Sequence, residues 1–407
     1  MASENIRAVL DIGTTKITVL VGEMDEEGGI YIIGHGISPA EGLRRGVVVD
    51  MDKTVKSINK AIEDAQLVSG TEIDSVAVSI SGEHIRSINS HGVIAVSRSD
   101  NEITSSDVNR AIDAARTVAI PVDREIIHVI PQEYSVDDQG GIKDPIGMSG
   151  VRLEVEAHLV TASVTTAKNI YRALERCHLN VDHIVLEALA QSQVLLSESD
   201  MEIGVVLLDI GGDITNIAVF HDGAIRHTGV ISLGSRNITN DIAIGLRTPL
   251  KHAKELKIMH GCALASMVNP EDLIDVPTAD GSKSKEVSRH VLASIIEPRM
   301  EEIMSLVLRE IKRANITDLL TGGLILSGGG SMLSGTVELA EQLFDLPVRK
   351  GIPANIAHIP DELQTCQYST AHGLLVYSFN NEPITYGHKG KVKGWMKKFE
   401  DWVTKKF

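Results

Sequence analysis

The tetrapeptide Leu-Asp-Ile-Gly occurs twice in this chain of 407 residues, at positions 10–13 and 208–211. Each copy ends an apolar run, opens a turn rich in Gly, Thr and Asp, and leads into a second apolar run, which is the pattern of a β-hairpin. One such turn is an ordinary connection between strands. Two matching turns in opposite halves of the chain predict an internally duplicated fold.

The residues of both turns suit bound phosphate. Glycine lets the backbone approach a ligand closely, hydroxyl and ammonium groups donate hydrogen bonds to phosphate oxygens, and carboxylates can hold hydrated Mg²⁺. Asp11 and Asp209 are the candidates for holding Mg²⁺ through water. The candidate phosphate ligands of the two turns are Asp11, Gly13, Thr14, Thr15 and Lys16 in the first, and Asp209, Gly211, Gly212, Asp213 and Thr215 in the second.

A third glycine segment follows an apolar run at residues 324–326. It consists of Gly328, Gly329, Gly330 and Ser331, whose backbone amides could face a base or an α-phosphate. The alternative is a loop that only leads into a helix. If the three segments end neighbouring strands of α/β layers, they converge on one crevice, where such sheets usually bind nucleotides.

The pattern of predicted strands and helices changes at residues 84–161, which we interpret as a small inserted α+β module. Within it, apolar and polar residues alternate over 151–160, which predicts a strand with one solvent-exposed face. Further on, residues 286–314 have the pattern of a long amphipathic helix. Pro298 lies inside that helix and predicts a kink or a break.

Composition limits the possible functions. With 43% hydrophobic and 23% charged residues, a chain of this length should form at least two globular domains. A net charge of −16 argues against nucleic acid as a partner. The three cysteines are far apart, as expected for reduced thiols in the cytosol, and the 15 histidines show no metal-ligand spacing. We expect neither a signal peptide nor a membrane-spanning helix.

The three glycine segments resemble the phosphate 1, phosphate 2 and adenosine motifs of the actin/Hsp70/sugar-kinase superfamily. The resemblance implies a duplicated, actin-like (ribonuclease H-like) α/β fold that binds ATP and Mg²⁺ between its halves. It further implies ribose contacts by Lys254 and Glu255. Glu187 opens a predicted helix where superfamily members often orient the attacking water; a carboxylate that only complements the helix dipole is the alternative.

Two segments, Pro-Gln-Glu-Tyr at 131–134 and Asp-Pro-Ile-Gly-Met at 144–148, are typical of one branch of that superfamily. With the motifs above and the segments 295–299 and 368–375, they make the chain resemble the FtsA family of bacterial cell-division proteins. His372, in the last of these segments, departs from the small or apolar residue expected at that position. The resemblance implies self-assembly into filaments, contacts with other division proteins, and binding of the C-terminal peptide of FtsZ, the tubulin-like division polymer, near Arg299.

The resemblance also implies a division into subdomains. The outer part of the second half would bind the FtsZ peptide. The predicted subdomains are a first core (1–83, 162–195 and 362–386), the insert (84–161), a second core (196–226 and 303–361), the outer subdomain (227–302), and a tether with a terminal helix (387–407).

The C-terminal segment has a pattern of its own. From Lys389 onward seven lysines face two acidic residues, and both tryptophans of the chain lie here. A basic helix with one apolar face is typical of binding to anionic membrane lipids. The alternatives are packing on the protein's own body or in a partner's groove. The predicted lipid-facing residues are Val392, Trp395, Met396, Phe399, Trp402, Val403 and Phe407, with Lys397 and Lys398 on the opposite face.

These observations predict a cell-division protein that binds ATP, polymerises on the inner face of the cytoplasmic membrane at the division site, and anchors FtsZ there. It would be at most a weak ATPase. One alternative is a small-molecule kinase or polyphosphate hydrolase of the same superfamily, which would need a positioned base and an acceptor pocket. Another is a relative of the pilus-assembly ATP-binding protein.

Overall fold

A computed structural model describes residues 5–96, 101–278 and 283–381. The helices of these residues are α1 (Met51–Ser69), α2 (Ser105–Arg116), α3 (Val164–Arg176), α4 (Glu187–Leu195), α5 (Glu198–Ile203), α6 (Ser235–Leu246), α7 (Leu250–His260), α8 (Arg289–Arg313), α9 (Thr336–Phe344) and α10 (Ser369–Asn380). The strands of the first part are β1 (Ile6–Ile12), β2 (Lys16–Met24), β3 (Ile30–Pro39), β4 (Leu43–Arg44), β5 (Val47–Val48), β6 (Ser75–Ile80), β7 (Arg86–Ala95), β8 (Arg124–Val136), β9 (Gln139–Ile142), β10 (Arg152–Ser163) and β11 (Asn180–Leu186). Those of the second part are β12 (Val205–Ile210), β13 (Thr215–His221), β14 (Ala224–Ile231), β15 (Leu273–Pro277), β16 (Ser284–Ser288), β17 (Leu324–Ser327) and β18 (Val348–Lys350).

Two five-stranded sheets have the same topology. Their strand orders are β3-β2-β1-β6-β11 and β14-β13-β12-β17-β18. In each sheet the first three strands are antiparallel and the last two run parallel to the middle one. Asp11 pairs with Thr18 in the first hairpin and Asp209 with Asn216 in the second. The predicted duplication is therefore confirmed down to the register of the two turns.

One apolar core joins the two sheets. Helices α4 and α10 pack against each other, and α4 contacts strands of both sheets. The buried residues of this core include Leu10 on β1 and Leu375 on α10, which packs against the first sheet. They also include Leu207 and Ala218 of the second sheet. Because burial of apolar area is the main favourable term in folding, the two halves are stabilised together rather than separately.

The insert is a four-stranded sheet of order β7-β10-β8-β9, with α2 packed on it and its own apolar core. A register shift in β8 leaves Gln132 unpaired beside Pro131. Proline cannot donate to the ladder, so a bulge is where a strand tolerates it. The Gln132 amide consequently points at the second half and donates a hydrogen bond of 2.7 Å to the carbonyl of Ile225 on β14.

The exposed face predicted for β10 is only partly exposed. The alternation holds from Leu153 to Glu156, but His158 is buried. Its Nδ1 lies 2.7 Å from the Asn89 amide oxygen, and its Nε2 lies 3.0 Å from the Thr228 hydroxyl of β14. A face that looks solvent-exposed in the sequence is thus covered where the insert meets the second half.

The long helix predicted over 286–314 differs from α8 in two ways. It begins at Arg289, because the preceding residues pair in the β15–β16 hairpin. It also continues through Pro298 without a break. Buried side chains before and after the proline, such as Ile296 and Met300, hold both parts of the helix against the second core, and this packing outweighs the missing backbone hydrogen bond.

Over residues 5–96, 101–278 and 283–381, no helix is long and apolar enough to cross a membrane. The predicted amphipathic helix, with its tryptophans and lysines from Val392 to Phe407, lies outside the described residues.

Candidate functional site

The three glycine segments converge on one cleft between the halves, as the sequence predicts. Residues of both predicted phosphate turns line it, together with Gly328 and Gly329 of the third segment. The remaining lining residues include Gly46, Ser81, Glu187, Gln191, Asn216, Ser235, Cys366, Gln367 and Thr370.

The two turns touch each other directly. The backbone N–H of Asp213 donates a hydrogen bond of 3.2 Å to Oγ1 of Thr14. Arg236 spans the contact, since its Nη2 donates to the Thr14 carbonyl at 2.9 Å and its Nε lies 3.1 Å from Oδ1 of Asp213. A Cβ on Gly212 would lie only 2.3 Å from Cγ2 of Thr15, so this approach requires glycine.

Asp11 is buried at the floor of the cleft. Its Oδ1 accepts a hydrogen bond of 2.8 Å from the Ser79 hydroxyl. Burial, and then the charge of Glu187, raise the pKa of Asp11 to about 7, although Ser79 and Lys16 act in the opposite direction. Among the described residues, no cation fully offsets the free-energy cost of burying this carboxylate in its charged form.

Asp209 occupies the equivalent place in the second half. Burial and the charge of Glu187 raise its pKa well above the ordinary value, while a hydrogen bond of 3.4 Å from the Asn216 amide opposes the shift. A Cβ on Gly328 would lie 2.0 Å from Oδ1 of Asp209, so the third glycine segment closes directly over this carboxylate.

Glu187 stands between the two aspartates at the first turn of α4. Its Oε2 accepts a hydrogen bond of 2.8 Å from the Asn216 amide, and its Oε1 accepts one of 3.1 Å from the Thr370 hydroxyl. Gln191, one turn further along α4, donates to the same Thr370 hydroxyl at 2.9 Å. These bonds fix the orientation of the Glu187 carboxylate toward the cleft.

Lys16 is the cation of the first turn. Its Nζ is buried and makes no hydrogen bond within the described residues. Burial lowers the pKa of Lys16 to about 8, and Asp11 and Asp209 limit the shift. The ammonium lies 3.2 Å from the ring centroid of Tyr368. It has donors to offer to an anion.

Six predicted ligands do not line the cleft. Asp213 is held by Arg236, and the Thr215 hydroxyl donates to the Leu233 carbonyl at 2.9 Å. Gly330 and Ser331, the last two residues of the third segment, are buried and do not line the cleft. Lys254 and Glu255 are exposed on α7. On the same helix, Lys257 donates a hydrogen bond of 2.7 Å to the carbonyl of Ser235, which does line the cleft.

Sequence reasoning missed Asn216, Gln191, Thr370 and Tyr368. Only Asn216 had a signal in the sequence, since it falls at the same register as Thr18 in the other hairpin. The others come from α4 and the start of α10, far away in the chain.

The cleft suits a phosphate chain with a divalent cation. The glycine turns leave space for close approach of a ligand. The Lys16 ammonium makes no hydrogen bond within the described residues, so its N–H groups can donate to phosphate oxygens. The pKa values of Asp11 and Asp209 are raised, and a nearby cation would stabilise both carboxylates in their charged form. Among the residues that the structure describes, no three His, Cys, Asp or Glu side chains lie close enough to ligate a metal directly.

Arg299, the predicted partner residue, lies away from the cleft on α8. Its Nε and Nη2 bind both carboxylate oxygens of Asp241 on α6, at 2.7 and 3.2 Å. It also pairs with Glu302. Arg299 therefore joins α6 to α8, and its side chain is 28% exposed.

Comparison with known proteins gives consistent results. The family model "Cell division protein FtsA" matches residues 206–373, and the model "SHS2 domain inserted in FTSA" matches residues 82–161. The chain is 45% identical over 373 residues to cell division protein FtsA of Pseudomonas aeruginosa, covering 92% of this chain and 89% of that protein. It is 38% identical over 410 residues to the Escherichia coli K12 protein of the same name, covering 98% and 97%.

Two solved structures are similar at lower sequence identity. The PilM-PilN type IV pilus biogenesis complex matches with a TM-score of 0.67 and 16% identity, over 91% of this chain and 98% of that chain. MreB5 of Spiroplasma citri bound to AMPPNP matches with a TM-score of 0.56 and 12% identity, over 93% and 97%. Together with the sheet topology, these matches confirm the predicted actin-like α/β fold with its insert.

Proposed function

The chain belongs to the FtsA family of cell division proteins, and we propose that it binds ATP with Mg²⁺, polymerises at the inner face of the cytoplasmic membrane at the division site, and anchors FtsZ there. The observation that carries the nucleotide part is the equivalent placement of Asp11 and Asp209 at the ends of two duplicated hairpins that face one cleft. The similar fold of MreB5, solved with AMPPNP and with ADP, supports it.

In this proposal the chain's own donors hold the phosphates. Thr14, Thr15, Lys16 and the backbone of the two glycine turns bind the terminal phosphates, and Gly328 and Gly329 of the third segment face the base. Asp11 and Asp209 orient the water shell of Mg²⁺, which would neutralise phosphate charge. The proposed ribose contacts are Lys254 and Glu255, whose side chains are exposed on α7.

We assign Glu187 the positioning of a water near the terminal phosphate. Its two oxygens accept hydrogen bonds from Asn216 and Thr370, so the carboxylate has a fixed orientation. A carboxylate restrained in this way fits a slow ATPase. ATP would then act chiefly by fixing the angle between the two halves and, with it, the polymer interface.

The outer part of the second half is the proposed FtsZ docking region. It exposes apolar side chains on neighbouring helices, namely Ile244 on α6 and Leu250, Ile258 and Met259 on α7. Exposed apolar residues grouped on neighbouring helices are typical of an interaction site. Arg299, with Asp241, lies on the adjacent pair of helices α6 and α8.

Membrane binding rests on the C-terminal sequence. Each lysine near an anionic leaflet contributes about 1 kcal/mol, an attraction that salt weakens. A single helix of this kind binds reversibly, whereas many copies on one filament bind together through avidity. Filament formation and membrane attachment therefore support each other.

The membrane proposal is tested by deleting residues 395–407 and measuring co-sedimentation with liposomes that contain anionic lipid, with ATP present. We expect binding to be lost on deletion and strongly weakened when Trp395 and Trp402 are both changed to Glu. Replacing Lys397 and Lys398 by Gln should leave binding that is weaker and less sensitive to salt. Undiminished co-sedimentation of the deleted chain would contradict membrane anchoring by this helix.

Filament formation is tested by electron microscopy of the purified protein on a lipid monolayer. We expect membrane-bound filaments with ATP and none without nucleotide. A division partner is tested separately, by retention of FtsZ on liposomes only when the full chain is present.

A further inference from the structure

The contact between Lys16 and Tyr368 has no place in the function described so far. The Lys16 ammonium lies 3.2 Å from the centroid of the Tyr368 ring, on the face that carries the negative part of the ring quadrupole. Within the described residues this ammonium makes no hydrogen bond. A buried ammonium without hydrogen bonds is costly, so the ring face offsets part of the cost of keeping it charged.

Tyr368 is held in place by the second half of the molecule. It ends a short helical turn, Cys366–Tyr368, that directly precedes α10. The carbonyl of Cys366 accepts hydrogen bonds from the backbone of Gly328 at 3.3 Å and from the Ser327 hydroxyl at 3.2 Å. Thr370, two residues after Tyr368, donates a hydrogen bond to Glu187. The ring therefore has a fixed position relative to both the third glycine segment and the proposed water-positioning carboxylate.

The other groups that face Lys16 act in different directions. Asp11 on β1 and Asp209 on β12 favour the charged ammonium, and so does the Cys366 side chain. His372 on α10 also faces it, and both ring nitrogens of this buried histidine are without a partner in the described residues. Burial and Lys16 lower the pKa of His372 to about 4, so it is neutral at physiological pH and does not repel the ammonium.

A π-face attracts the ammonium without using its N–H donors in conventional hydrogen bonds. A carboxylate in the same place would pair with the lysine and compete with a phosphate. The ring holds the charge while leaving the donors able to turn toward an oxygen in the cleft.

We propose that Tyr368 is a positioning residue for Lys16: its ring keeps the lysine charged at the cleft wall, ready to bind the terminal phosphates of a nucleotide. This inference rests on the proposed binding of ATP. It adds Tyr368 as the residue that holds Lys16 in position to bind phosphate.

The test compares Tyr368→Phe, which keeps the ring, with Tyr368→Leu, which removes it, in the full chain. The first readout is the pKa of Lys16 without nucleotide, from the pH dependence of its acetylation by acetic anhydride, followed by mass spectrometry. The second is the affinity for ATP and for AMP between pH 6.5 and 9. Thermal melting of each variant checks that it is folded.

We expect Tyr368→Phe to behave like the parent chain. Tyr368→Leu should lower the pKa of Lys16 by about one unit, and it should weaken ATP binding about fivefold at pH 8 and less at pH 6.5. AMP affinity should change little, because AMP lacks the terminal phosphates.

The inference is overturned if Tyr368→Leu leaves the pKa of Lys16 unchanged, or if it weakens ATP and AMP binding equally at every pH. Failure of the parent chain to bind ATP would contradict the proposed function instead. In that case the acetylation profile still decides whether the ring keeps Lys16 charged.

Discussion

The backbone N–H of Asp213 donates a hydrogen bond to the hydroxyl of Thr14 across 3.2 Å, although the two residues are 199 positions apart in the chain. The two phosphate turns of the duplicated fold are therefore in contact with each other. Any ligand that inserts between them must displace this bond or arrange itself around it. The contact makes the spacing of the turns sensitive to what the cleft contains.

The two adjacent glycines of the third segment should respond differently to alanine. Gly328 has a φ of 79° and no space for a Cβ, which would lie 2.0 Å from Asp209, whereas a Cβ on Gly329 meets nothing within 4 Å. We expect Gly328→Ala to lower the free energy of unfolding by about 1–3 kcal/mol, and Gly329→Ala to change it by less than about 0.5 kcal/mol. Urea unfolding measures both. Equal effects would show that the close approach to Asp209 is unimportant.

Asp11→Asn should stabilise the protein without nucleotide at neutral pH. The folded pKa of Asp11 is about 7, above its unfolded value, so ionisation between about pH 4 and 7 disfavours the folded state. We expect the stability difference between variant and parent to be small near pH 4, to grow to about 4 kcal/mol at pH 7, and to level off above that. Thermal or urea unfolding across this range measures it.

Asp52→Asn is the matched control for this experiment. Asp52 is exposed and pairs with Arg176 on the surface, so its replacement should show no comparable trend above pH 5. With Mg²⁺ and ATP present, the parent chain should become more stable than Asp11→Asn, because Asp11 would then be needed in its charged form. A variant no more stable than the parent at pH 8 would argue against an uncompensated carboxylate at this position.

Glu187→Gln should separate hydrolysis from binding. If Glu187 positions the attacking water, its replacement should slow ATP turnover at least tenfold. ATP affinity should change by less than about threefold, since the phosphates are held by the turns rather than by α4. Steady-state turnover and equilibrium titration provide the two numbers, with exposed Glu198 changed to Gln as control. Parallel loss of both would assign Glu187 a purely structural part.

Arg299 and Asp241 distinguish a direct partner contact from helix packing. We expect Arg299→Ala to weaken binding of an FtsZ C-terminal peptide about tenfold, a loss of about 1.4 kcal/mol. Asp241→Asn should retain most of the binding, because it frees the guanidinium from its bidentate partner without removing it. Fluorescence anisotropy with the full chain measures both. Equal losses would mean that Arg299 acts only by joining α6 to α8.

The sequence predicted those parts of the site that depend on local pattern. The duplicated tetrapeptide predicted the two hairpins and the shared cleft, because apolar runs and glycine turns are patterns of consecutive residues. The third glycine segment reached the same cleft for the same reason: its strand, β17, lies parallel to β12 at the matching register.

What the sequence did not reveal depends on contacts between distant residues. Thr370 reaches Glu187 from 183 positions away, and nothing near either residue indicates it. His158 looked exposed because alternation describes one strand and not the surface that later covers it. Pro298 predicted a kink or a break in α8, and the break does not occur, because side chains packed before and after the proline keep the helix continuous.

The insert is continuous in sequence with the first half and hydrogen-bonded to the second. His128 of β8 accepts a hydrogen bond of 2.9 Å from the N–H of Leu186, the residue before Glu187, while Gln132 of the same strand reaches β14. The insert is thus tied to both sides of the cleft. A change in the angle between the halves would have to rearrange the contact of Gln132 with β14 as well as the packing around the cleft. The insert therefore opposes such a change from a distance.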